Sequence, residues 1–144
     1  MRPGSDCRRC HSKDSDYPSA PEWTLAGTVY PLADSPAEDG VEGVTVKVTA
    51  PDGAEVLSLT TNRVGNFYTS KPLPADYRVA LEYQGERIEM PCPPPSGGCA
   101  KCHGQPPIGE APGRIYVPQG EVRPNPAFDC EAWATVPTAS ASGN

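Results

Sequence analysis

The chain is poor in aromatic residues and has no long apolar run. Its 144 residues include two Trp, six Tyr and two Phe against 19 Pro and 14 Gly, a balance that argues against a helical bundle and favours β-structure with stiff, irregular connections. No apolar run is long enough to span a bilayer. Acidic residues outnumber basic ones by 18 to 12, which argues against nucleic acid or an anionic membrane surface as a partner.

Histidine is scarce as well, and both histidines follow a pair of cysteines. Cys7-Arg8-Arg9-Cys10-His11 and Cys99-Ala100-Lys101-Cys102-His103 share the form C-x-x-C-H, which is typical of c-type haem attachment. Two thiols at this spacing can add to the two vinyl groups on one porphyrin edge, and the next residue then serves as the proximal iron ligand. We therefore expect two covalently bound haem c groups, with attachment and proximal ligation by Cys7, Cys10, His11, Cys99, Cys102 and His103.

Other interpretations of the two CxxC pairs stay open at this point. One structural zinc could take all four thiols, although the pairs lie far apart and zinc would not require a His after each pair. A redox CxxC is expected at the start of a helix in a βαβ pattern, which is missing here. A framework of three disulfides would suit an exported protein.

The remaining cysteines, Cys92 and Cys130, are predicted to form a disulfide, because exported cysteines tend to pair. Thioether attachment of haem normally takes place outside the cytoplasmic membrane, so we expect an extracellular or periplasmic protein. No signal peptide precedes the first motif, and the chain is expected to be a mature form or one whose start was assigned too late.

The distal iron ligands are the open question of the sequence. No third His exists, so bis-His coordination within the chain is excluded. Met90 and Met1 are the two methionines and the candidate distal ligands. Met90 lies only nine residues before Cys99. It also lies two residues after Ile88 on a predicted strand, so the two side chains would share one face and Met90 could simply fill the hydrophobic core. Met1 could reach an iron only if the N-terminal arm folded back on itself, or if the Met1 of a neighbouring chain served as the ligand. The α-amino group, Lys and Tyr are further candidates.

The chain divides into four segments. Residues 1–22 form an N-terminal arm with the first motif, and residues 23–90 carry short alternating segments separated by turn signals. Residues 91–118 hold the second motif and a closing strand, and residues 119–144 are a Pro-rich tail. Strands are predicted at 23–32, 44–49, 55–60, 66–70, 77–83, 86–90 and 114–117. This spacing predicts a mainly β chain folded as an antiparallel seven-strand β-sandwich.

Residues 23–90 also resemble the carboxypeptidase regulatory-like (transthyretin-like) family. The resemblance lies in Gly27-Thr28-Val29-Tyr30, Gly43-Val44-Thr45-Val46, Thr60-Thr61-Asn62, Gly65-Asn66-Phe67-Tyr68 and Tyr77-Arg78-Val79. It implies a seven-strand Ig-like or transthyretin-like scaffold that is not itself catalytic, and it implies nothing about ligands.

Together these features predict an electron carrier, not an enzyme. An odd number of antiparallel strands would place the motifs at opposite ends of the sandwich, about 20 Å apart. We therefore expect the haem of one subunit to approach that of the next in a head-to-tail homopolymer, similar in arrangement to extracellular cytochrome filaments, with redox proteins as further partners. The alternatives are a dihaem enzyme or sensor with an open, peroxidase-like iron, and a cell-surface adhesion module.

Overall fold

The computed structural model describes residues 2–109, 111–120, 130 and 131, and these residues are mainly β. The strands, in chain order, are β1 (Leu25–Tyr30), β2 (Thr45–Thr49), β3 (Glu55–Thr60), β4 (Asn66–Thr69), β5 (Arg78–Tyr83), β6 (Glu86–Glu89) and β7 (Ile115–Tyr116). Each coincides with a strand predicted from alternation, shortened by up to four residues in all. Two 3₁₀ turns, Cys7–Arg9 and Cys99–Lys101, carry the two motifs.

The strands form two sheets. One sheet has three strands in the order β4-β1-β7, and the other has four in the order β3-β2-β5-β6. The prediction of an antiparallel arrangement is wrong at one place, since β7 pairs parallel with β1. Hairpins join β2 to β3 and β5 to β6. In contrast, β7 follows a long connection that contains the second motif, and a connection of this length permits parallel pairing with β1.

The four-stranded sheet shows why alternation predicted these strands well. In β2 the side chains of Val46 and Val48 are buried, while Lys47 points the other way and pairs with Glu55 and Glu82 at 3.4 and 3.5 Å. The β5–β6 loop places Gln84 and Gly85 at φ 51° and 82°, as a two-residue type I′ hairpin turn requires. Local pattern and turn chemistry therefore agree throughout this sheet.

Residues of both sheets share one buried apolar cluster. Its members are Leu25, Val29, Val44, Val46, Val48, Leu57, Phe67, Leu81 and Val117. Burial of this cluster is the main apolar contribution to the stability of the fold.

Strand β1 is buried along its whole length, unlike the half-buried strands around it. A glycine inside a strand, such as Gly27, marks a bulge or a close backbone approach. Its register with β4 is unbroken, so it is not a bulge. A Cβ at Gly27 would lie 2.7 Å from Phe67 Cζ and 3.0 Å from Cys99 Cβ, and the close approach therefore brings the second motif against β1.

Candidate functional site

The first motif is held by a capped 3₁₀ turn. The side chain of Asp6 accepts a hydrogen bond from the backbone N–H of Arg8 at 3.1 Å, which satisfies a donor at the start of the turn. The N–H groups of Cys10 and His11 both donate to the carbonyl of Cys7, at 3.3 and 3.1 Å. The two thiols and the imidazole thus project from a single turn of backbone.

The second motif repeats this backbone geometry. The N–H groups of Cys102 and His103 donate to the carbonyl of Cys99 at 3.2 and 2.9 Å. Upstream, the Ala26 N–H of β1 donates to the carbonyl of Gly97 at 2.8 Å, and a Cβ at Gly97 would overlap the carbonyl oxygen of Thr24. A glycine is therefore needed where the second motif docks on β1.

Each histidine binds a backbone carbonyl through Nδ1. His11 Nδ1 lies 2.8 Å from the oxygen of Pro21, and His103 Nδ1 lies 3.0 Å from the oxygen of Gly113. A carbonyl oxygen only accepts, so Nδ1 carries the proton in both rings and Nε2 is left as the ligand atom. This is the usual outer-shell arrangement of a metal-binding histidine.

The environments of the two imidazoles differ. His11 stacks on the indole of Trp23, with ring centroids 3.5 Å apart and planes 5° from parallel. Trp23 in turn stacks on Tyr68 at 4.3 Å. His103 has no such stack among the described residues, and its burial lowers the pKa of the imidazole, partly offset by the bond to Gly113. A lowered pKa favours the neutral ring, the form that binds a metal.

Each motif also lines its own cavity. The cavity at the second motif holds about 880 Å³ of open space and is walled almost entirely by apolar side chains of both sheets, among them Phe67, Leu81 and Ile88. Cys99, Cys102 and His103 complete its lining. Its apolar character is typical of cofactor sites.

The cavity at the first motif is wider and more polar. It holds about 1360 Å³ of open space and is lined by Cys7, Cys10 and His11 together with Trp23, Tyr17 and charged side chains. This difference predicts unequal solvent contact for groups attached at the two motifs.

Of the two candidate distal ligands, the structure describes Met90. Met90 lines the cavity at the second motif together with His103, and it packs against a small cluster of Cys92 and Ala111 with Cys102 beside it. It is therefore placed near the second motif instead of in the main core. Met1 lies outside the described residues.

The motifs do not lie at opposite ends of the fold, and the expectation of a 20 Å separation is wrong. Both 3₁₀ turns pack on β1. A Cβ at Gly98 would lie 2.9 Å from Asp6 Oδ1 and 3.7 Å from Arg8 Cβ. The reason is that the N-terminal arm and the segment after β6 both run back along β1. The positions of the motifs therefore cannot be inferred from the number of strands between them.

The four motif cysteines are free thiols, and the three-disulfide interpretation is wrong. Burial raises the pKa of the Cys99 thiol to about 12, with the nearby Cys7 thiol adding to the shift. Among the described residues, no group of three or more His, Cys, Asp and Glu side chains is placed to hold a metal ion. That arrangement is what the single-zinc interpretation requires, whereas a haem iron needs only one or two protein ligands.

The predicted disulfide is present. Cys92 and Cys130 are bonded, with Cα atoms 5.4 Å apart. Cys92 is buried next to Met90 and Ala111. The bond therefore ties residue 130 of the tail to the base of the second motif.

Several buried polar groups near the motifs suit an anionic occupant. Arg114 is buried and lines the second cavity. It donates to the Ser35 carbonyl at 2.7 Å, yet no described carboxylate pairs with it. Arg8 Nε and the Tyr77 hydroxyl are buried without a hydrogen-bond partner in the described chain. Because buried donors are normally satisfied, a haem propionate would suit Arg8 Nε and the Tyr77 hydroxyl, whereas Arg114, which also donates to the Tyr30 hydroxyl at 3.3 Å, would offer its charge.

The residues that position the two histidines were not identified from the sequence. Trp23 appeared only as the start of a strand, and Arg114 only as part of the closing strand. One signal was present: Pro21 and Gly113 each lie ten residues after their histidine. The repeated spacing indicates that two loops of equal length fold back on the two motifs.

No described helix has the length and apolar character needed to cross a membrane. Comparison of the chain with protein-family models, with curated proteins and with solved structures found no match.

Proposed function

We propose that this chain is an exported dihaem c-type cytochrome that carries electrons and performs no substrate chemistry. The observation that carries the proposal is the common geometry of His11 and His103. Both follow a 3₁₀ turn with two free thiols, and both hold their Nδ1 proton on a backbone carbonyl. Chance CxxCH sequences have no reason to share this arrangement, whereas iron ligation through Nε2 requires it.

The roles of the residues follow from this geometry. Cys7 and Cys10 would hold the first haem and Cys99 and Cys102 the second, by thioether bonds. Haem supplies a one-electron iron couple, while the protein sets its ligation, burial and spacing. The apolar walls of the second cavity exclude water, and the wider first cavity admits it.

The scaffold of the proposal is an Ig-like or transthyretin-like sandwich. Its support is the buried cluster, to which Leu25 and Phe67 of one sheet and Val46 and Leu81 of the other contribute. Such a scaffold leaves function to the segments attached to it.

Met90 is the proposed distal ligand of the second haem, because it lines the same cavity as His103. Replacement by Leu keeps the volume but removes the sulfur. Met90→Leu is then expected to remove the weak long-wavelength absorption band of methionine-ligated ferric haem, and to lower the potential. Ile88→Leu, which changes another apolar wall residue of the same cavity without removing a sulfur, is the matched control. An unchanged band in Met90→Leu would assign Met90 to packing alone.

Intact mass and the visible spectrum test the proposal as a whole. We expect the mass of the chain plus two haems, and a low-spin ferric spectrum at the second site. A chain without covalent haem would contradict the proposal and favour the adhesion module.

The head-to-tail polymer stays a prediction. Its original reason, distant haems within one chain, no longer holds, and a polymer would instead join one closely spaced pair to the next. Electron microscopy of purified protein decides: filaments are expected, and monodisperse monomers at every concentration would reject the polymer.

A second candidate function rests on the lining of the first cavity. Among its described lining residues there is no Met and no second His. An iron at His11 would then bind small ligands, as in a peroxidase-like enzyme or sensor, unless Tyr17, Met1 or another chain supplies a donor. Carbon monoxide binding by the reduced Cys99→Ala/Cys102→Ala chain supports this candidate, and an inert low-spin spectrum rejects it.

A further inference from the structure

We infer that the two haems form an electronically coupled pair within a single chain, joined where the two CxxCH motifs meet on β1. The inference rests on the proposed function and extends it, since it states where electrons pass between the haems. It also replaces the contact between subunits with a contact inside the monomer.

Equivalent positions of the two motifs meet at this junction. Asp6 immediately precedes Cys7, and Gly98 immediately precedes Cys99. A Cβ at Gly98 would lie 2.9 Å from Asp6 Oδ1, so the Asp6 side chain lies against Gly98 and the residues just before the two first cysteines are neighbours. Cys7 is also close enough to Cys99 to act on it electrostatically.

Strand β1 holds both motifs in this position. The Gly4 N–H of the arm donates to Thr28 Oγ1 at 3.1 Å, and the Ala26 N–H donates to the Gly97 carbonyl at 2.8 Å. Both anchors are on β1, two residues apart. Because β1 is buried along its whole length, both motifs are anchored to the most deeply buried strand of the three-stranded sheet.

Covalent attachment would turn this contact between the motifs into proximity of the porphyrins. A thioether bond joins the porphyrin edge directly to the cysteine Sγ, so that edge stays within one side-chain length of the motif backbone. Electron tunnelling falls exponentially with the distance between porphyrin edges. The attached edges would therefore be the route of exchange: one electron would pass, one iron would change from ferrous to ferric as the other changed from ferric to ferrous, and no atom would be transferred.

Circular dichroism in the Soret region tests the pair. Two haems held close together give a band of paired positive and negative lobes, and isolated haems do not. We expect this couplet in the oxidised dihaem chain at every protein concentration. The summed spectra of the single-haem chains, Cys7→Ala/Cys10→Ala and Cys99→Ala/Cys102→Ala, are expected to lack it.

A second variant tests the junction without removing a haem. Gly98→Leu places a bulky side chain against Asp6 and is expected to reduce the couplet while both haems stay attached by mass. Ser58→Leu adds the same side chain at an exposed position of β3 and is expected to leave the couplet intact.

The outcomes separate this inference from the proposed function. A chain lacking two haem masses contradicts both. Two haem masses with a spectrum equal to the sum of the single-haem spectra contradict the inference alone, and a couplet that vanishes on dilution assigns the pair to contacts between chains. If a single-haem variant does not fold, the dilution series and the magnetic interaction of the two ferric irons in the unaltered chain decide in its place.

Discussion

The imidazole of His11 lies flat on the indole of Trp23, with centroids 3.5 Å apart and planes 5° from parallel. The Pro21 carbonyl holds the same ring at its Nδ1 edge, 2.8 Å away. One contact shields a face of the imidazole from water and the other sets its rotation. Trp23 therefore positions the imidazole of His11, the proposed proximal ligand of the first haem.

Removing the indole is expected to change the first haem specifically. Trp23→Leu admits water to the imidazole, which favours the ferric form and lowers the reduction potential. Because Trp23 is buried, the substitution also costs about 2–3 kcal/mol of stability, somewhat less than a Trp→Ala change. Potentiometric titration of the Cys99→Ala/Cys102→Ala chain isolates this haem. Trp23→Phe keeps an aromatic face and serves as the control; equal shifts in the Phe and Leu variants would contradict the role of the stack.

Gly97 is expected to be required for the second motif to dock. An Ala here would place its Cβ on the Thr24 carbonyl oxygen, and overpacking of this kind costs about 1–3 kcal/mol. We expect Gly97→Ala to separate the motif from β1 and to reduce attachment of the second haem, measured by intact mass.

Gly53→Ala is the matched control for this prediction. Gly53 has φ 86° with open space around it, so Ala costs about 1–2 kcal/mol of backbone strain but leaves the motif in place. Full haem content in both variants would show that the close contact between Gly97 and β1 is not needed for haem attachment.

Much of the fold was predictable from sequence because its information is local. Alternation located β2 and β5, and the Gln84-Gly85 pair located the hairpin between β5 and β6. The parallel pairing of β7 was not predictable, because it depends on how the connection from Pro91 to Arg114 packs and not on the residues of the strand itself.

The candidate site likewise has a part that the sequence predicts and a part that it does not. The spacing of Cys99, Cys102 and His103 is local and predicted the candidate ligands directly. The meeting of Asp6 and Gly98 joins residues far apart in the sequence, and it depends on two close approaches to β1. Local sequence patterns do not indicate such a long-range contact. For this reason the sequence alone predicts the motifs at opposite ends of the fold.

The two haems are expected to differ in their contribution to stability. The second cavity lies between the two sheets, bounded by Leu81 and Ile88 of one and Phe67 of the other, so a haem there extends the core. Cys99→Ala/Cys102→Ala should lose at least the about 3 kcal/mol that burial of one large apolar side chain contributes. Cys7→Ala/Cys10→Ala should lose less, because the first cavity is polar and wide. Urea unfolding compares them, and the reverse order would reject the placement of the second haem.

Arg114 is expected to raise the potential of the second haem. It is buried and lines that cavity without a described carboxylate partner, and a nearby positive charge favours the less positive, ferrous state. Arg114→Gln should lower the potential, measured in the Cys7→Ala/Cys10→Ala chain. Arg63→Gln removes an exposed charge that lines neither motif cavity and controls for net charge. Equal shifts in both variants would show that Arg114 acts only through net charge.

Tyr77 offers a test of whether a haem carboxylate satisfies the buried donors. Its hydroxyl has no partner in the described chain. In haem-free protein, Tyr77→Phe removes an unpaired polar group and should be neutral or stabilising by about 1 kcal/mol. In haem-loaded protein a hydrogen bond to a charged carboxylate would be lost, at a cost of about 1.5–3 kcal/mol. Unfolding of both forms measures the difference, and the same sign in both would assign no haem contact to Tyr77.

The pH dependence of the haem-free chain is an independent check on the burial of this hydroxyl. Burial, and next the Cys99 thiol, raise the pKa of Tyr77 from its ordinary value of 10 to about 12. Above pH 10 the unfolded chain therefore releases a proton that the folded chain retains, so this contribution to stability is complete below pH 10 and is lost as the pH rises toward 12. The free energy of unfolding should fall more steeply over this range than in Tyr77→Phe. Parallel pH profiles of the two chains would mean that Tyr77 ionises as freely in the folded protein as in the unfolded one.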